Sequence, residues 1–255
     1  MNADGDNQPD IKSAFIYEQA QLYRSLFERY EVDITWLSRL ISSRFPSRNP
    51  RILELACGEA RILKGLAYRG SSTRLSGLDI SPRMLELARS LVPDAALYQT
   101  DMRDFRLGEH YDLILLMANS LSHILSREDR RNVYDSISRH MGTGGLAVCA
   151  VLTSRGYEDS LNTPVTMGEC SDSRGNRFEV FEQSRMLEED TIQVDWYFQA
   201  ETSDADDLHN TFTLHCFQPG ELAGEIRESG GEILETLHGF RSDMDFWDIH
   251  VYRTA

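Results

Sequence analysis

The chain has 255 residues, 41% of them hydrophobic and 26% charged, which suits one large globular domain or a core domain carrying a modest cap and excludes a disordered chain. Its 41 acidic and 26 basic side chains leave a formal net charge of −15, a field that repels phosphate backbones and anionic lipid and argues against nucleic-acid and membrane partners. No apolar run approaches the roughly 18 residues that span a bilayer, and the acidic start MNADGDNQPD has neither the basic nor the apolar region of a signal peptide, so a cytoplasmic protein is expected.

Residues 1–12 read as a polar tail. Residues 13–45 are helical in character, with Phe15, Tyr23, Phe27, Ile34, Leu37 and Ile41 supplying apolar faces, until FPSRNP breaks the pattern. The next hundred residues alternate between two signals. Short apolar runs read as buried strands: RILELA (51–56), RLSGLDI (74–80), AALYQT (95–100), DLILLMA (112–118) and LAVCAVL (146–152). Between them lie helical patterns. Ser81-Pro82 is an N-cap with proline at the first helical position, and Val133, Ile137 and Met141 mark a helix that stops before Gly142-Thr-Gly-Gly.

Past Leu152 the chain turns polar, and RFEVFEQ, TIQVDWYFQAE and TFTLHCF alternate as half-buried antiparallel strands do. A helix opening at Gln218-Pro219 and two closing strands, EILETLHGF and FWDIHVYR, complete the chain. The expected fold is α/β, a doubly wound, mostly parallel seven-stranded sheet with helices on both faces and an antiparallel lid insertion. The segments divide as 1–45 covering the site, 46–154 with 218–255 forming the core, and 155–217 forming the lid. The four cysteines, Cys57, Cys149, Cys170 and Cys216, form no CxxC pair or His-rich cluster, so neither disulfides nor a metal site is expected.

The most informative stretch is ILELACGEARIL (52–63): an apolar strand ends in an acid, and a tight turn through Ala56, Cys57, Gly58, Glu59 and Ala60 feeds a helix. Gly58 lets backbone approach a ligand closely, and the helix start beyond it presents unpaired N–H groups. Dinucleotides and adenosyl groups both fit such a turn. The dinucleotide fingerprint needs three glycines where Ala56, Gly58 and Arg61 stand, so a nicotinamide-dependent enzyme is disfavoured.

ELACGEAR resembles motif I of the class I methyltransferases that use S-adenosylmethionine, and the resemblance covers about residues 50–155. It departs at Ala60, where the family usually has glycine. The resemblance implies S-adenosylmethionine as cofactor, held by Glu54, Ala56, Cys57, Gly58 and Ala60. Asp79, 25 positions after Glu54, would accept the ribose hydroxyls with Ile80 beside it, and Asp101 with Met102 would bracket the adenine. Tyr111-Asp112 would start the fourth strand and Gly142-Thr-Gly-Gly would precede the fifth.

MANSLSHIL (117–125) is similar to a segment of glycine N-methyltransferase and its small-molecule relatives. That resemblance implies Met117 against the cofactor, Asn119 at the reacting centre and His123 near the methionine end. It places Tyr23 of Gln21-Leu22-Tyr23 on the cofactor, with Tyr17 toward the substrate. Ser154-Arg155-Gly156-Tyr157 is similar to an Arg-Asn-Tyr whose arginine holds a substrate carboxylate. Trp196, Tyr197, Phe198, His215 and Phe217 of the lid would wall the substrate pocket. The implied activity is methyl transfer to a small-molecule acceptor, foremost an amine nitrogen. A phenol or carboxylic acid acceptor, for which His123 or His215 would serve as base, stays open, as do a non-methylating adenosyl-binding protein of the same fold and a homo-oligomer.

Overall fold

The structure, a computed structural model, describes residues 19–46, 49–69, 74–202 and 205–254. Among the described residues, helices α1 (Ala20–Phe27) and α2 (Val32–Arg44) precede β1 (Arg51–Leu55), α3 (Arg61–Tyr68), β2 (Arg74–Asp79), α4 (Pro82–Leu91), β3 (Ala96–Gln99) and β4 (Tyr111–Leu116). A 3₁₀ turn (Ser120–His123), α5 (Arg127–His140) and β5 (Met141–Leu152) follow, then a second 3₁₀ turn (Ser154–Tyr157) and β6 (Val165–Ser171), β7 (Arg177–Glu188), β8 (Thr191–Ala200) and β9 (Leu208–His215). The chain closes with α6 (Glu221–Glu228), β10 (Gly231–Leu237) and β11 (Trp247–Thr254).

The core is a seven-stranded sheet in the order β10-β11-β5-β4-β1-β2-β3. β3, β2, β1, β4 and β5 run parallel, and β11 inserts antiparallel between β5 and β10. Alternation along the strands sends Ile52, Leu113, Leu115, Val148 and Ala150 to one face against α2 and α3. Leu53, Leu55, Ile114, Leu116, Cys149 and Val151 face α5 and α6 on the other. The order reverses between β1 and β4, so α-helices cover both faces and a crevice opens at the strands' carboxyl ends, the position where open α/β sheets bind ligands.

The second sheet, in the order β6-β7-β8-β9, is wholly antiparallel. Its inner face carries Cys170, Phe178, Val180, Val194, Trp196, Phe198 and Phe212 onto Leu22 of α1 and onto Tyr157. Segment 160–162 fixes that docking, because Ser184 donates its N–H to the Ser160 carbonyl and accepts from Asn162 N–H, 2.8 and 2.7 Å.

Local chemistry explains the boundaries. Ser81 caps α4 through its Oγ, accepting from Met84 N–H, with Pro82 at the first helical position, and Ser126 caps α5 in the same way onto Asp129 N–H. The helical stretch 13–45 is broken at 28–31, between α1 and α2. Gly142-Thr-Gly-Gly is not a stop between helix and strand. α5 ends at His140 and β5 begins at once, Met141 pairing with Tyr111 before the register jumps to Leu113↔Leu146. The extra residues loop out where Gly144 takes φ +73° and Gly145 lies so close to the Tyr111 carbonyl that a Cβ would stand 3.0 Å from it. β6 has no counterpart in the sequence reading, since the irregularity between Thr166 and Gly168 spoils its alternation.

One buried ion pair joins α2 to the start of α3. Arg61 donates to both Asp33 oxygens at 3.0 and 2.5 Å and to the Tyr30 carbonyl at 2.5 Å, with side chains only 15% and 2% exposed. Removing one partner would strand the other charge in a desolvated place, so Asp33→Ala is expected to lower stability by about 3–5 kcal/mol in urea unfolding. A loss below about 1 kcal/mol would contradict the burial of this pair.

Candidate functional site at the carboxyl edge of the sheet

The turn after β1 is built from backbone in the left-handed region. Ala56, Gly58 and Ala60 have φ of +50°, +56° and +65°, and Ala60 caps α3 in that conformation. For an alanine this costs about 1–2 kcal/mol, so the surrounding contacts must enforce it. Cys57 N–H donates to the Leu78 carbonyl at 2.9 Å, and Gly58 N–H donates to Asp79 Oδ2 at 2.8 Å. Asp79 Oδ1 accepts from Ser81 N–H at 2.8 Å. One carboxylate thereby joins the turns after β1 and β2, and each of its oxygens keeps acceptor capacity. A Cβ on Gly58 would meet nothing within 4 Å, so this backbone faces open space.

Around this turn acids gather. Glu54, at the end of β1, is buried, and its Oε2 has no hydrogen-bond partner. Glu59 is buried as well; it was not among the residues singled out from the sequence. Desolvation raises the carboxyl pKa of Glu54, Glu59 and Asp79 alike, with Arg61 opposing it at the first two. Tyr23 of α1 reaches this group, its hydroxyl held protonated by burial and by the charges of Glu59, Asp79 and Glu54. Ile80 leaves an apolar side chain 40% exposed beside Asp79. Cys57 and Ala60 face elsewhere, into the apolar cluster of Leu63, Leu85 and Ala88 between α3 and α4, where Cys57 Sγ fills the space above Gly77.

At the end of β3, Asp101 accepts from Arg103 N–H at 2.8 Å and from its guanidinium at 2.6 Å, which holds the carboxyl below the usual range. Arg103 also reaches Asp129 at the start of α5, 3.1 Å. Met102 packs against the core face that carries α5.

Beyond β4, Met117 is buried, and Ala118 and Asn119 are both left-handed, at φ +53° and +63°. Asn119 is a junction. Its Oδ1 accepts from Leu152 N–H at the end of β5 (2.9 Å) and from Ser122 Oγ (2.7 Å), while Nδ2 donates to the Tyr157 hydroxyl (2.9 Å). Its amide therefore holds the two strand ends and Tyr157 in fixed relation. His123 meets Phe212 edge-on at 5.8 Å, and burial pushes its pKa down to about 4.

Rings connect these places. Tyr23 and Phe27 lie 4.8 Å apart, Phe27 and Trp196 5.8 Å, Trp196 and Phe212 4.8 Å, and Phe212 leads on to His123. An aromatic row thus runs from the acidic turn, under the second sheet, to the loop after β4. Trp196 Nε1–H donates to Glu182 Oε2 at 3.0 Å. Glu182 was also missed, yet it could have been found. In RFEVFEQ it shares the parity of Phe178 and Val180, which puts an acid on an inward face.

Other candidates fall outside this group. Tyr17 lies outside the described residues. Arg155 is 56% exposed, its ion-pair partner being Asp245 at 3.9 Å. His215 has the opposite strand parity to Phe212 and is bound to Glu221 of α6 at 2.8 Å. Tyr197 faces outward and stacks on His209 at 4.6 Å, while Phe217 belongs to the core between the sheet and α6. Among the described residues no group of His, Cys, Asp and Glu is arranged to hold a metal ion, and no helix is long and apolar enough to cross a membrane. The four cysteines are buried free thiols.

Residues 52–145 match a family model described as a methyltransferase domain. The chain is 31% identical over 139 residues to a dTDP-3-amino-3,4,6-trideoxy-alpha-D-glucopyranose N,N-dimethyltransferase of Streptomyces venezuelae, covering 54% of this chain and 56% of that one. It is 26% identical over 152 residues to a dTDP-4-amino-2,3,4,6-tetradeoxy-D-glucose N,N-dimethyltransferase of Saccharopolyspora spinosa, covering 58% and 60%. The aligned part thus spans little more than half the length of these curated relatives. The fold is similar to that of an S-adenosylmethionine-dependent methyltransferase from Clostridium acetobutylicum, with TM-score 0.76 and 14% identity over 92% of this chain and 97% of that one. It is similar too to an S-adenosylmethionine-bound amino pentose methyltransferase from Micromonospora echinaspora, with TM-score 0.75 and 19% identity over 94% and 97%.

The depressed basicity of His123 has a sign that can be measured. The unfolded chain takes up this proton near pH 6.5 (about the free value), the folded chain only near 4. Below pH 6.5 the unfolded state therefore binds more protons, and stability falls as pH drops toward 4. Wild type should lose stability relative to His123→Gln over that window in urea titrations and run parallel to it above pH 7. Parallel curves throughout would contradict a desolvated, neutral His123.

Proposed function

We propose that this chain, whose residues 52–145 match a methyltransferase domain, is a class I S-adenosylmethionine-dependent methyltransferase that transfers a methyl group to the amine nitrogen of a small acceptor, an amino sugar. The observation that carries the reading is the meeting of Glu54, the left-handed turn 56–60, Asp79 and Tyr23 at one crevice, closed on its far side by the aromatic row.

The residues present fit the cofactor by charge and shape. Its sulfonium and ammonium are cationic, and the crevice offers three buried carboxyl groups, one with an unpartnered oxygen. Gly58 gives close backbone approach. Asp79 would take the ribose hydroxyls with its spare acceptor sites, and Ile80 would lie against the adenosyl group. Asp101 keeps its carboxylate ionised through Arg103 and, with Met102, would border the adenine. Met117 and Tyr23 would flank the methionine end.

When bound, S-adenosylmethionine supplies a methyl carbon already activated by its positive sulfur. The chain's part is alignment and exclusion of water, which can be worth roughly 7–11 kcal/mol. Asn119 fixes the Tyr157 hydroxyl and the ends of β4 and β5 as one rigid edge, so its role is positioning. His123 is held neutral by burial, so it adds no positive charge beside an acceptor nitrogen that becomes cationic on reaction. With its pKa near 4 it is a weak base for a phenol. The segment 155–217 acts as the lid over the acceptor, with Trp196 and Phe212 as its apolar ceiling. The exposure of Arg155 argues against a glycine-like acceptor held by its carboxylate. The dTDP-amino sugar N,N-dimethyltransferases among the relatives support an amino sugar in its place.

Methyl-labelled S-adenosylmethionine offered with dTDP-3-amino-3,4,6-trideoxyglucose, glycine, a phenol and a carboxylic acid should place label on the sugar nitrogen. Label on an oxygen acceptor alone, or cofactor binding without transfer to any of them, would overturn the reading. In parallel, Asp79→Ala should weaken cofactor binding at least tenfold by calorimetry, since hydrogen bonds to a charged group are worth about 1.5–3 kcal/mol each. An unchanged affinity in the folded variant would remove Asp79 from the site.

A further inference from the structure

The well-buried positions on the inner face of the second sheet near the aromatic row are apolar or small polar groups, which makes the half-buried acid Glu182 conspicuous beside them. The ladder sets Val165, Glu182, Trp196 and Asn210 directly opposite one another across all four strands. Glu182 is half-buried there, and Trp196 Nε1–H binds its Oε2, leaving Oε1 for another donor. Its charge also acts on the Tyr157 hydroxyl, the group that Asn119 ties to the core sheet. The Ser160–Ser184 contacts, two residues along β7, hold the Tyr157 segment to this strand. The rings nearest to hand are Trp196, which is hydrogen-bonded to Glu182, and Tyr157, on which its charge acts, with Phe212 against Trp196.

We propose that Glu182 is the specificity-determining residue that selects an amine acceptor, its carboxylate receiving the ammonium group among the faces of Trp196, Tyr157 and Phe212. This rests on the reading of the chain as a methyltransferase acting on an amine. A carboxylate bordered by aromatic faces is suited to a compact organic cation, because ring quadrupole and negative charge act in the same sense. The same carboxylate repels a carboxylic acid and gains little from a neutral hydroxyl, so it separates nitrogen acceptors from oxygen ones. An ammonium has no lone pair, so its surplus proton is first lost to water, which reaches the half-buried Glu182. The freed nitrogen pair then forms the N–C bond as the C–S bond breaks with its electrons left on sulfur. The nitrogen's new positive charge again faces the Glu182 side chain.

Glu182→Gln is the test, since glutamine keeps the volume and can still accept from Trp196. Affinities are measured by calorimetry, in the presence of S-adenosylhomocysteine, for dTDP-3-amino-3,4,6-trideoxyglucose and for the same sugar nucleotide with a hydroxyl at carbon 3. Wild type should prefer the amine at least tenfold, and Glu182→Gln should bring that ratio to within about twofold while leaving S-adenosylmethionine affinity unchanged. A carboxylate that serves only to hold Trp196 would weaken both sugars together and preserve the ratio, which would overturn the proposal. So would a wild type that binds and methylates the amine without preferring it to the hydroxyl. Absence of methyl transfer to any amine would instead strike the underlying reading, whatever the ratio.

Discussion

The hydrogen bond from Gly58 N–H to Asp79 Oδ2 sets the shape of the whole carboxyl edge. It spans β1 and β2, neighbours in the sheet, and with the Cys57–Leu78 bond it presses residues 56–60 into alternating left-handed backbone. That conformation turns the chain away from the crevice and starts α3 at Arg61, whose guanidinium then finds Asp33 and anchors α2. Because Asp79 is buried, the bond is made in a medium of low dielectric, where breaking it would leave both donor and carboxylate unsatisfied. The strained alanines at 56 and 60 are held by these neighbours and not by their own preference.

A second network runs in the other direction, from the core sheet to the added one. Asn119 joins β4 to β5 and to Tyr157, Ser160 joins Tyr157's segment to β7, and Glu182 joins β7 to Trp196 of β8. The aromatic row returns from Trp196 through Phe27 to Tyr23 at the acidic turn. The proposed acceptor side and the proposed cofactor side of the crevice are thereby parts of one connected network. The buried carboxyl groups at the turn and Glu182 at the second sheet suit this design locally, since the sulfonium and ammonium of the proposed cofactor and the amine of the acceptor are the positively charged groups that would meet them.

Much of this was legible before the fold was seen, where local chemistry decides. The buried strands were visible as short apolar runs, the start of α4 as Ser81-Pro82, and the crevice as an acid followed by a glycine turn. Side-chain partners across the chain were not. Asp33 and Arg61 are 28 positions apart, and nothing local marks them as a pair. Asn119 and His123 were readable as candidates, but the commitment of the Asn119 amide to three partners and the desolvation of His123 depend on β5 and β9. Gly142-Thr-Gly-Gly misled because glycines end helices as readily as they bulge strands. Glu182 carried a parity signal that a motif search passes over, while the exposure of Arg155 follows from a 3₁₀ turn that its neighbours in sequence do not announce.

The central claim is that an adenosyl group binds along the carboxyl ends of β1 to β4. Hydrogen exchange with and without S-adenosylmethionine tests it most directly, because amides in contact with the ligand or ordered by it exchange more slowly. The account predicts added protection at residues 56–60, 79–81, 101–103 and 117–119, with the β10–β11 hairpin unchanged. Protection confined to the second sheet, or none at saturating cofactor, would contradict it.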